Sequence, residues 1–349
     1  MTASRRIGYI ASLSLHATLE VKPFHLALRL LASMLVVLPG AALGQALVVV
    51  SERSPSYEEV AAELRAALPA RDGHDSIEVV TAQELAQFND TTLRKRKLVI
   101  TLGLGAAQTT VARDREGLLP LPAPVLCLLI PRHGYEQLVP PEARARISAV
   151  FGDQPLSRQL ELLRLALPDR RRLGAVLGPS SRELLPELGE QARARDMSLH
   201  AAEVADASAV YSAMREATVA SDVLILLPDA VATSADTVYG LMLTSYRAQI
   251  PVLGFSESLS KAGALISLYS SARQQGQEGA EIARRVLAGE AALPAPRYPR
   301  QFTVRINPSV ARSLGLQLPD EASLAAALAA LEEGGTPAPA RAGVPRGSP

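Results

Sequence analysis

The residues best suited to binding a small molecule are polar side chains that stand just after short apolar runs. Asp229 follows the run 223–227, which is hydrophobic at every position, and Ser256 follows a second run, 250–255. A short run of this kind is typical of a strand buried on both faces of a parallel sheet. Ligands of open α/β sheets bind outside the carboxyl ends of the strands. Asp229 and Ser256 are therefore candidate ligand contacts.

The segment between these two runs predicts the helix that places them side by side. Thr233 and Ser234 suit the N-cap position, and the apolar residues that follow recur at spacings of three and four. Strand, helix and strand form a βαβ unit. The same alternation recurs along the chain, and it predicts an α/β protein made of two doubly wound Rossmann-like sheets.

Two further loops carry groups that can hold a ligand. The first predicted strand, 46–51, ends in the polar loop that contains Ser54 and Ser56, and the third, 98–101, is followed by Gly103 and Gly105. These glycines resemble the start of a dinucleotide fingerprint, but Gln108 stands where the third glycine belongs and the distal acidic residue is missing. A nicotinamide or flavin cofactor is therefore not expected. The glycines still allow free N–H groups at a helix N-terminus to hold a carboxylate or another anion.

Composition excludes several other classes of protein. The formal net charge of +1 gives no global field to attract nucleic acid. Cys127 is the single cysteine and lies inside the apolar run 125–130, so it is expected to be a buried core thiol and cannot form an intramolecular disulfide or a cysteine zinc cluster. His133 is expected to be a residue of the surface turn 131–134. No metal or cofactor is expected.

The first 44 residues have the pattern of a secretory signal peptide. Arg29 precedes the apolar run 30–38, and small residues lead from there to Gln45. The apolar run is too short for a comfortable membrane span. At the other end, residues 334–349 are mostly Gly, Pro, Ala and Arg, which predicts a disordered tail.

Four segments follow one another in the order and spacing of a known family. They are PLSRQLELLRLALPDRRRLGAVLGPS (155–180), SDVLILLPDAVATS (221–234), IPVLGFSESLSKAGALISLYSSARQQGQEGAEIARRVLAGE (250–290) and RINPSVARSLGLQLP (305–319). Together they resemble the ABC-transporter substrate-binding proteins of the periplasmic binding protein type I class, in the subfamily that includes aromatic-amino-acid binders.

The resemblance implies two lobes that are joined by three hinge crossings and close on a small molecule. On this pattern the first lobe comprises residues 45–149 plus 270–298, and the second comprises 150–269 plus 299–319. The ligand would be held by hydroxyls, backbone amides and one carboxylate at strand ends and at the hinge, namely Ser51, Ser54, Ser56, Thr101, Gly105, Asp229, Ser256 and Ser271.

Two features leave the ligand open. Where members of this family usually carry an Asp five residues ahead of a Gly, this chain has Ser271 ahead of Gly276, so amino-acid specificity does not follow from the resemblance. Asp229 also has an alternative interpretation as a carboxylate at a helix N-terminus with a purely structural role.

The leading functional hypothesis is a non-catalytic periplasmic protein that captures a small polar molecule, amino-acid-like or similar, and delivers it to the membrane permease of an ABC importer. The alternative is a sensory module that binds a ligand and signals to a membrane kinase or receptor without transport. An enzyme is disfavoured because the sequence shows no nucleophile elbow, metal cluster or phosphate loop. A DNA-binding repressor is disfavoured because an export signal stands where its helix-turn-helix would lie.

We expect the mature protein to begin near Gln45 and to be found in the periplasm, because the residues before it have the basic flank, apolar run and small-residue exit of a cleaved leader. N-terminal sequencing of the protein recovered from a periplasmic extract measures this. Recovery of the intact chain from the cytoplasm would contradict it.

Overall fold

A parallel five-stranded sheet forms the framework of the first lobe. The computed structural model describes residues 45–68, 77–87, 96–115 and 123–334; the predicted leader 1–44 and the predicted tail beyond residue 334 lie outside them. The strands run in the order β2-β1-β3-β4-β5. Their bounds are Ala46–Val50 (β1), Ile77–Thr81 (β2), Leu98–Leu102 (β3), Val125–Ile130 (β4) and Ile147–Phe151 (β5).

A six-stranded sheet forms the framework of the second lobe, in the order β11-β10-β9-β8-β6-β7. All neighbouring strands are parallel except β11, which runs antiparallel to β10. Their bounds are Arg172–Leu177 (β6), Ser198–Glu203 (β7), Val223–Ile225 (β8), Val252–Gly254 (β9), Ile266–Tyr269 (β10) and Thr303–Ile306 (β11).

Helices alternate with the strands along the whole described chain. The first lobe contains α1 (Pro55–Ala67), α2 (Ala82–Leu85), α3 (Leu104–Arg115) and α4 (Arg132–Leu138). The second contains α5 (Leu156–Ala166), α6 (Leu185–Arg193), α7 (Ala207–Ala220), α8 (Ala235–Arg247) and α9 (Glu257–Ala262). Then follow α10 (Ala272–Leu287), α11 (Pro308–Ser313) and α12 (Glu321–Glu332), with single 3₁₀ turns at Pro141–Ala143 and Arg182–Leu184. Within the described ranges, no helix has both the length and the apolar character needed to cross a bilayer.

Both faces of the strands inside each sheet are buried, and this explains why strands such as β1 and β8 are hydrophobic at every position. In β1, Leu47 and Val49 pack into one core, whereas Val48 and Val50 pack into the core on the opposite face. The strand β8 is divided between two cores in the same way. Successive strand side chains point to opposite faces, so helices on both sides require an apolar residue at each position. The predicted fold, two doubly wound Rossmann-like lobes, is confirmed.

The chain passes between the two sheets three times. The first crossing, residues 152–155, joins β5 to α5, and the second, residues 270–271, joins β10 to α10. Arg297 still bridges to Val150 of the first sheet, and β11 begins at residue 303 in the second sheet. The third connection between the two sheets therefore lies at residues 299–302.

Three helices were not predicted from the sequence: α4, α9 and α12. The predicted surface turn 131–134 is the beginning of α4, which is fixed by the buried Tyr135 hydroxyl donating to the carbonyl of Ile147 at 2.6 Å. The alanine-rich segment of α12 packs on the second lobe through Leu324 and Leu328. Alanine gives this helix little contrast between its faces, so its periodicity is weak in the sequence.

The helix α10 returns to the first lobe and packs closely on α1. A Cβ at Gly276 would lie 2.8 Å from the Cβ of Glu63 and 3.2 Å from the Cα of Val60. The two helix backbones therefore touch where a side chain would separate them. This contact fixes the start of α10, which lies at the second crossing.

We expect Gly276→Ala to lower the stability of the protein by about 1–3 kcal/mol, because the added methyl group must push the two helices apart. The matched control is Gly240→Ala in α8, where nothing lies within 4 Å of the added Cβ; there the lower entropy of the unfolded chain should raise stability by about 0.4–1 kcal/mol. Thermal unfolding of both variants tests this. Equal shifts of the two melting temperatures would contradict the close approach.

Candidate functional site

A cavity of about 500 Å³ lies between the two lobes at the carboxyl ends of strands from both sheets. Residues of the first lobe and of α10 that line it are Ser56, Glu59, Leu129, Pro131, Gly152, Asp153, Ser271 and Ala272. Residues of the second lobe that line it are Pro228, Phe255, Ser256, Glu257, Ser258, Lys261, Tyr269 and Ser270. We call this the interlobe cavity. Of the predicted ligand contacts, Ser56, Ser256 and Ser271 are brought together here.

Ser256 reaches the interlobe cavity because β9 ends two residues before it. Its hydroxyl accepts from the N–H of Leu259 at 3.3 Å and so caps α9, and it lies 2.8 Å from the hydroxyl of Ser258. The short helix therefore begins at the cavity with two hydroxyls and the aromatic ring of Phe255 beside them. The hydroxyls can donate to or accept from the polar groups of a ligand, while the ring of Phe255 packs against the apolar part of the ligand.

Ser271 is held at the cavity by a capping box at the start of α10. Its hydroxyl accepts from the N–H of Gln274 at 3.2 Å, and the side-chain oxygen of Gln274 accepts from the N–H of Ser271 at 2.8 Å. The neighbouring hydroxyl, Ser270, donates to the carbonyl of Gln301 at 2.5 Å. The second crossing thus presents two serines whose positions are fixed by hydrogen bonds to their surroundings.

Asp153 is a half-buried carboxylate on the first crossing that was not predicted as a site residue. One of its oxygens accepts from the N–H of Arg132 at 2.9 Å. Burial raises the pKa of Asp153 to about 6, although the hydrogen bond from the Arg132 amide opposes the shift. Because this pKa lies close to neutrality, the charge of the cavity wall changes between pH 5 and 7.

The other charged groups of the cavity are paired. The ammonium of Lys261 lies 2.8 Å from a carboxylate oxygen of Glu257, and a carboxylate oxygen of Glu59 lies 3.5 Å from Nε of Arg273. Within the described part of the chain, no group of three or more His, Cys, Asp or Glu residues is placed to hold a metal ion. The cavity therefore offers hydroxyls, aromatic surface and paired charges, which suit reversible binding of a small polar molecule.

The prediction that Asp229 lies at the cleft is wrong. Its side chain is buried, with the residue 8% exposed, and Asp229 does not line the interlobe cavity although Pro228 does. The carboxylate accepts four hydrogen bonds of 2.8–2.9 Å, from the hydroxyl of Ser181 and from the amides of Ser180, Val231 and Ala232. It therefore joins the loop after β6 to the loop after β8, and no oxygen is left for a ligand.

The surroundings of Asp229 favour a structural role for its carboxylate. Burial alone would raise the pKa of Asp229, but the amides of Ala232 and Val231, the hydroxyl of Ser181 and the amide of Ser180 lower it below its ordinary value. A Cβ at Gly178 would lie 2.1 Å from a carboxylate oxygen of Asp229. Gly178 is thus required for the loop to close around the carboxylate.

The remaining predicted contacts do not line the interlobe cavity. Thr101 is 0% exposed in β3 and pairs in register with the buried Cys127, so its proposed role as a ligand contact is wrong. The hydroxyl of Ser51 donates to the carbonyl of Leu102 at 3.0 Å and accepts from the amide of Ala106 at 2.8 Å. Ser54 caps α1, and Gly105 lies in α3 against Ser51. These polar groups stabilise the strand ends of the first lobe.

An ion pair and a histidine–carboxylate contact also join the two lobes. Arg132 at the start of α4 pairs with Glu187 of α6, and Nε2 of the adjacent His133 lies 3.2 Å from a carboxylate oxygen of Glu183. His133 was predicted to be a surface turn residue and instead lies at a contact between the lobes. A sequence signal existed for Asp153, which follows the apolar run 147–151 just as Asp229 follows 223–227.

We expect Asp229→Ala to lower stability by about 1–3 kcal/mol or more at pH 7, because several buried donors lose their acceptor. The pKa of Asp229 is lowered in the folded state, so the stabilisation is present above the ordinary aspartate value of 3.8 and is lost as the pH falls through the folded-state pKa. The difference in melting temperature between wild type and variant should therefore shrink below about pH 4. Asp236→Ala, an exposed acidic residue in the first turn of α8, is the control and should cost less than about 1 kcal/mol.

Comparisons with known proteins identify the family. A family model described as ABC transporter substrate binding protein matches residues 74–329. A search of curated proteins found no match.

Solved structures of similar fold include three bacterial proteins. One is a conserved domain protein from Vibrio cholerae, with 20% identity, coverage of 80% of this chain and 96% of the other, and a TM-score of 0.59. One is an ABC domain from Streptococcus pneumonia in complex with L-Trp, with 17% identity, coverage of 79% and 96%, and a TM-score of 0.59. One is a ligand-free, open substrate-binding protein with adhesive properties from Clostridium difficile, with 17% identity, coverage of 79% and 96%, and a TM-score of 0.64.

These likenesses agree with two α/β lobes that meet at a cavity, and the family model spans most of the chain. The protein belongs to the ABC transporter substrate-binding protein family.

Proposed function

We propose that this protein captures a small polar, amino-acid-like molecule in the interlobe cavity and delivers it to an ABC importer, without catalysing a reaction. The observation that carries the proposal is the cavity itself, which is lined by residues from both lobes at the carboxyl ends of their strands. Ligands of open α/β sheets bind at such ends.

The size and lining of the cavity support this class of ligand. About 500 Å³ lies within the range of pockets that hold small molecules. The rings of Phe255 and Tyr269 can pack against an apolar or aromatic part, and the surrounding serine hydroxyls can bond to polar groups. The structural relative from Streptococcus pneumonia was solved with L-Trp, which makes aromatic amino acids a reasonable first set of compounds.

Binding in this way requires the lobes to close. The crossings at residues 152–155, 270–271 and 299–302 can act as a hinge. The Arg132–Glu187 pair and the His133–Glu183 contact join the lobes outside the cavity. Both contacts would favour the closed arrangement without touching the ligand, and the Arg132–Glu187 ion pair would contribute about 0.2–1 kcal/mol.

The proposed location is the periplasm and the proposed partner is the membrane permease of the importer. A sensor protein is the alternative partner. Uptake of a radiolabelled ligand by cells with and without this protein separates the two, because a transport protein is required for uptake whereas a sensory module is not.

We expect a ligand found among the L-amino acids and related aromatic acids to reduce the radius of gyration of the mature protein, because closure brings the lobes together. Isothermal titration calorimetry identifies the ligand, and small-angle scattering with and without it measures closure. Binding without contraction would contradict the hinge mechanism.

The variant Glu187→Gln should lower the affinity of the protein for that ligand by up to about fivefold, since one interlobe ion pair is lost. Glu190→Gln is the matched control, because Glu190 lies in the same helix and is exposed. Equal affinities for the two variants would show that the Arg132–Glu187 pair does not contribute to closure.

A further inference from the structure

A chain of hydrogen bonds links all three hinge crossings. The side-chain amide nitrogen of Gln154, on the first crossing, donates to the hydroxyl of Ser270 on the second at 2.9 Å. That hydroxyl donates in turn to the carbonyl of Gln301 on the third crossing at 2.5 Å. Ser270 also borders the interlobe cavity. The three connections between the lobes are thus held in one fixed arrangement next to the proposed ligand.

Arg158 determines how Gln154 is oriented. Its guanidinium donates to the side-chain oxygen of Gln154 at 2.6 Å and to the carbonyl of Pro299 at 3.2 Å. Because the amide oxygen is engaged by Arg158, the amide nitrogen is the group that faces Ser270. Arg158 is only 7% exposed, and its guanidinium carbon lies 4.5 Å from the centre of the Phe302 ring. It therefore contacts the first and third crossings directly.

Glu332, the last residue of α12, holds Arg158 in this orientation. Its two carboxylate oxygens accept from Nε and Nη2 of Arg158 at 2.5 and 2.8 Å. The other hydrogen-bond partners of Arg158 in the described chain are neutral, so Glu332 supplies its counter-charge. A bidentate pair fixes the plane of a guanidinium as well as its charge. The C-terminal helix is therefore connected to the hinge through a single, directional contact.

We infer that Arg158 and Glu332 are positioning residues that set the hinge, so that the docked helix α12 controls the angle between the lobes. The inference rests on the proposed closure of the lobes around a ligand. Loss of the Glu332 carboxylate leaves Arg158 without its counter-charge and frees the guanidinium to turn. Gln154 then loses the bond that orients its amide, and the three crossings are no longer held together. The lobes consequently sample a wider range of angles, and the fraction of molecules ready to bind falls.

The test measures the distance between the lobes in the mature protein without any ligand. Spin labels are attached to Arg65→Cys in α1 and Val219→Cys in α7, because both positions are exposed, Val219 by 84%, and the native Cys127 is buried. Pulsed electron-paramagnetic resonance then gives the distribution of interlobe distances. We expect this distribution to be broader for Glu332→Gln than for the parent protein.

Two further variants separate positioning from general stability. Glu333→Gln changes the neighbouring residue, which is exposed and forms no ion pair within the described chain, and should leave the distribution unchanged. Arg158→Lys keeps the charge but lacks the planar fork, so it should broaden the distribution as Glu332→Gln does. All distributions are measured well below the melting temperature of each variant. If Arg158→Lys does not fold, Glu332→Gln alone decides the question.

The outcomes are distinct. A distribution for Glu332→Gln that superimposes on the parent, even with a lowered melting temperature, overturns the inference and leaves Glu332 a purely structural residue. A broader distribution for Glu332→Gln and not for Glu333→Gln supports it. Failure of every tested amino acid to shorten the interlobe distance of the parent protein would instead overturn the proposed function, whereas the comparison of the two glutamate variants would stand.

Discussion

Buried backbone N–H groups need hydrogen-bond acceptors. This requirement determines how polar side chains are used at the edge of each sheet where the strands end. Parallel strands leave amide groups exposed in the loops that follow them, and a buried amide without a partner is costly. Asp229 meets this need for two loops of the second lobe, and Ser51 meets it at the start of α3. Polar residues at these ends are therefore engaged first by the fold. The side chains left to line the interlobe cavity come from the crossings, from the start of α1 and from the loop after β9.

This constraint explains how much the sequence could predict. The apolar strands inside each sheet predict two doubly wound sheets, because burial on both faces is a local property of such a strand. Whether an acidic residue after a strand is free depends on which strand lies beside it. Asp229 and Asp153 follow similar runs, yet β8 lies next to β6, whose loop donates to Asp229, whereas Asp153 accepts one amide hydrogen bond from the start of α4. Strand order is not visible in a local pattern.

The hinge shows the same limit for helices. Gln154, Ser270 and Gln301 lie more than a hundred and thirty residues apart at their extremes, and nothing in their local sequence marks them as partners. Arg158 appears in the sequence as one charge on an amphipathic helix. Its role depends on α12, whose alanine-rich segment carries a weak periodic signal. Contacts that couple distant segments in this way are determined by the packing of complete lobes. A local sequence pattern therefore does not reveal which residues form them.

The burial of Cys127 has a consequence for the chemistry of the whole chain. The thiol lies in the middle of β4, inside the core of the first lobe, and burial raises its pKa to about 11. Thiolate is the form that attacks disulfides and reacts with peroxides, and at neutral pH almost none is present. With a single sulfhydryl that is both shielded and protonated, the folded protein resists sulfenic acid formation and mixed disulfides. The thiol of Cys127 can therefore remain reduced even in an oxidising compartment.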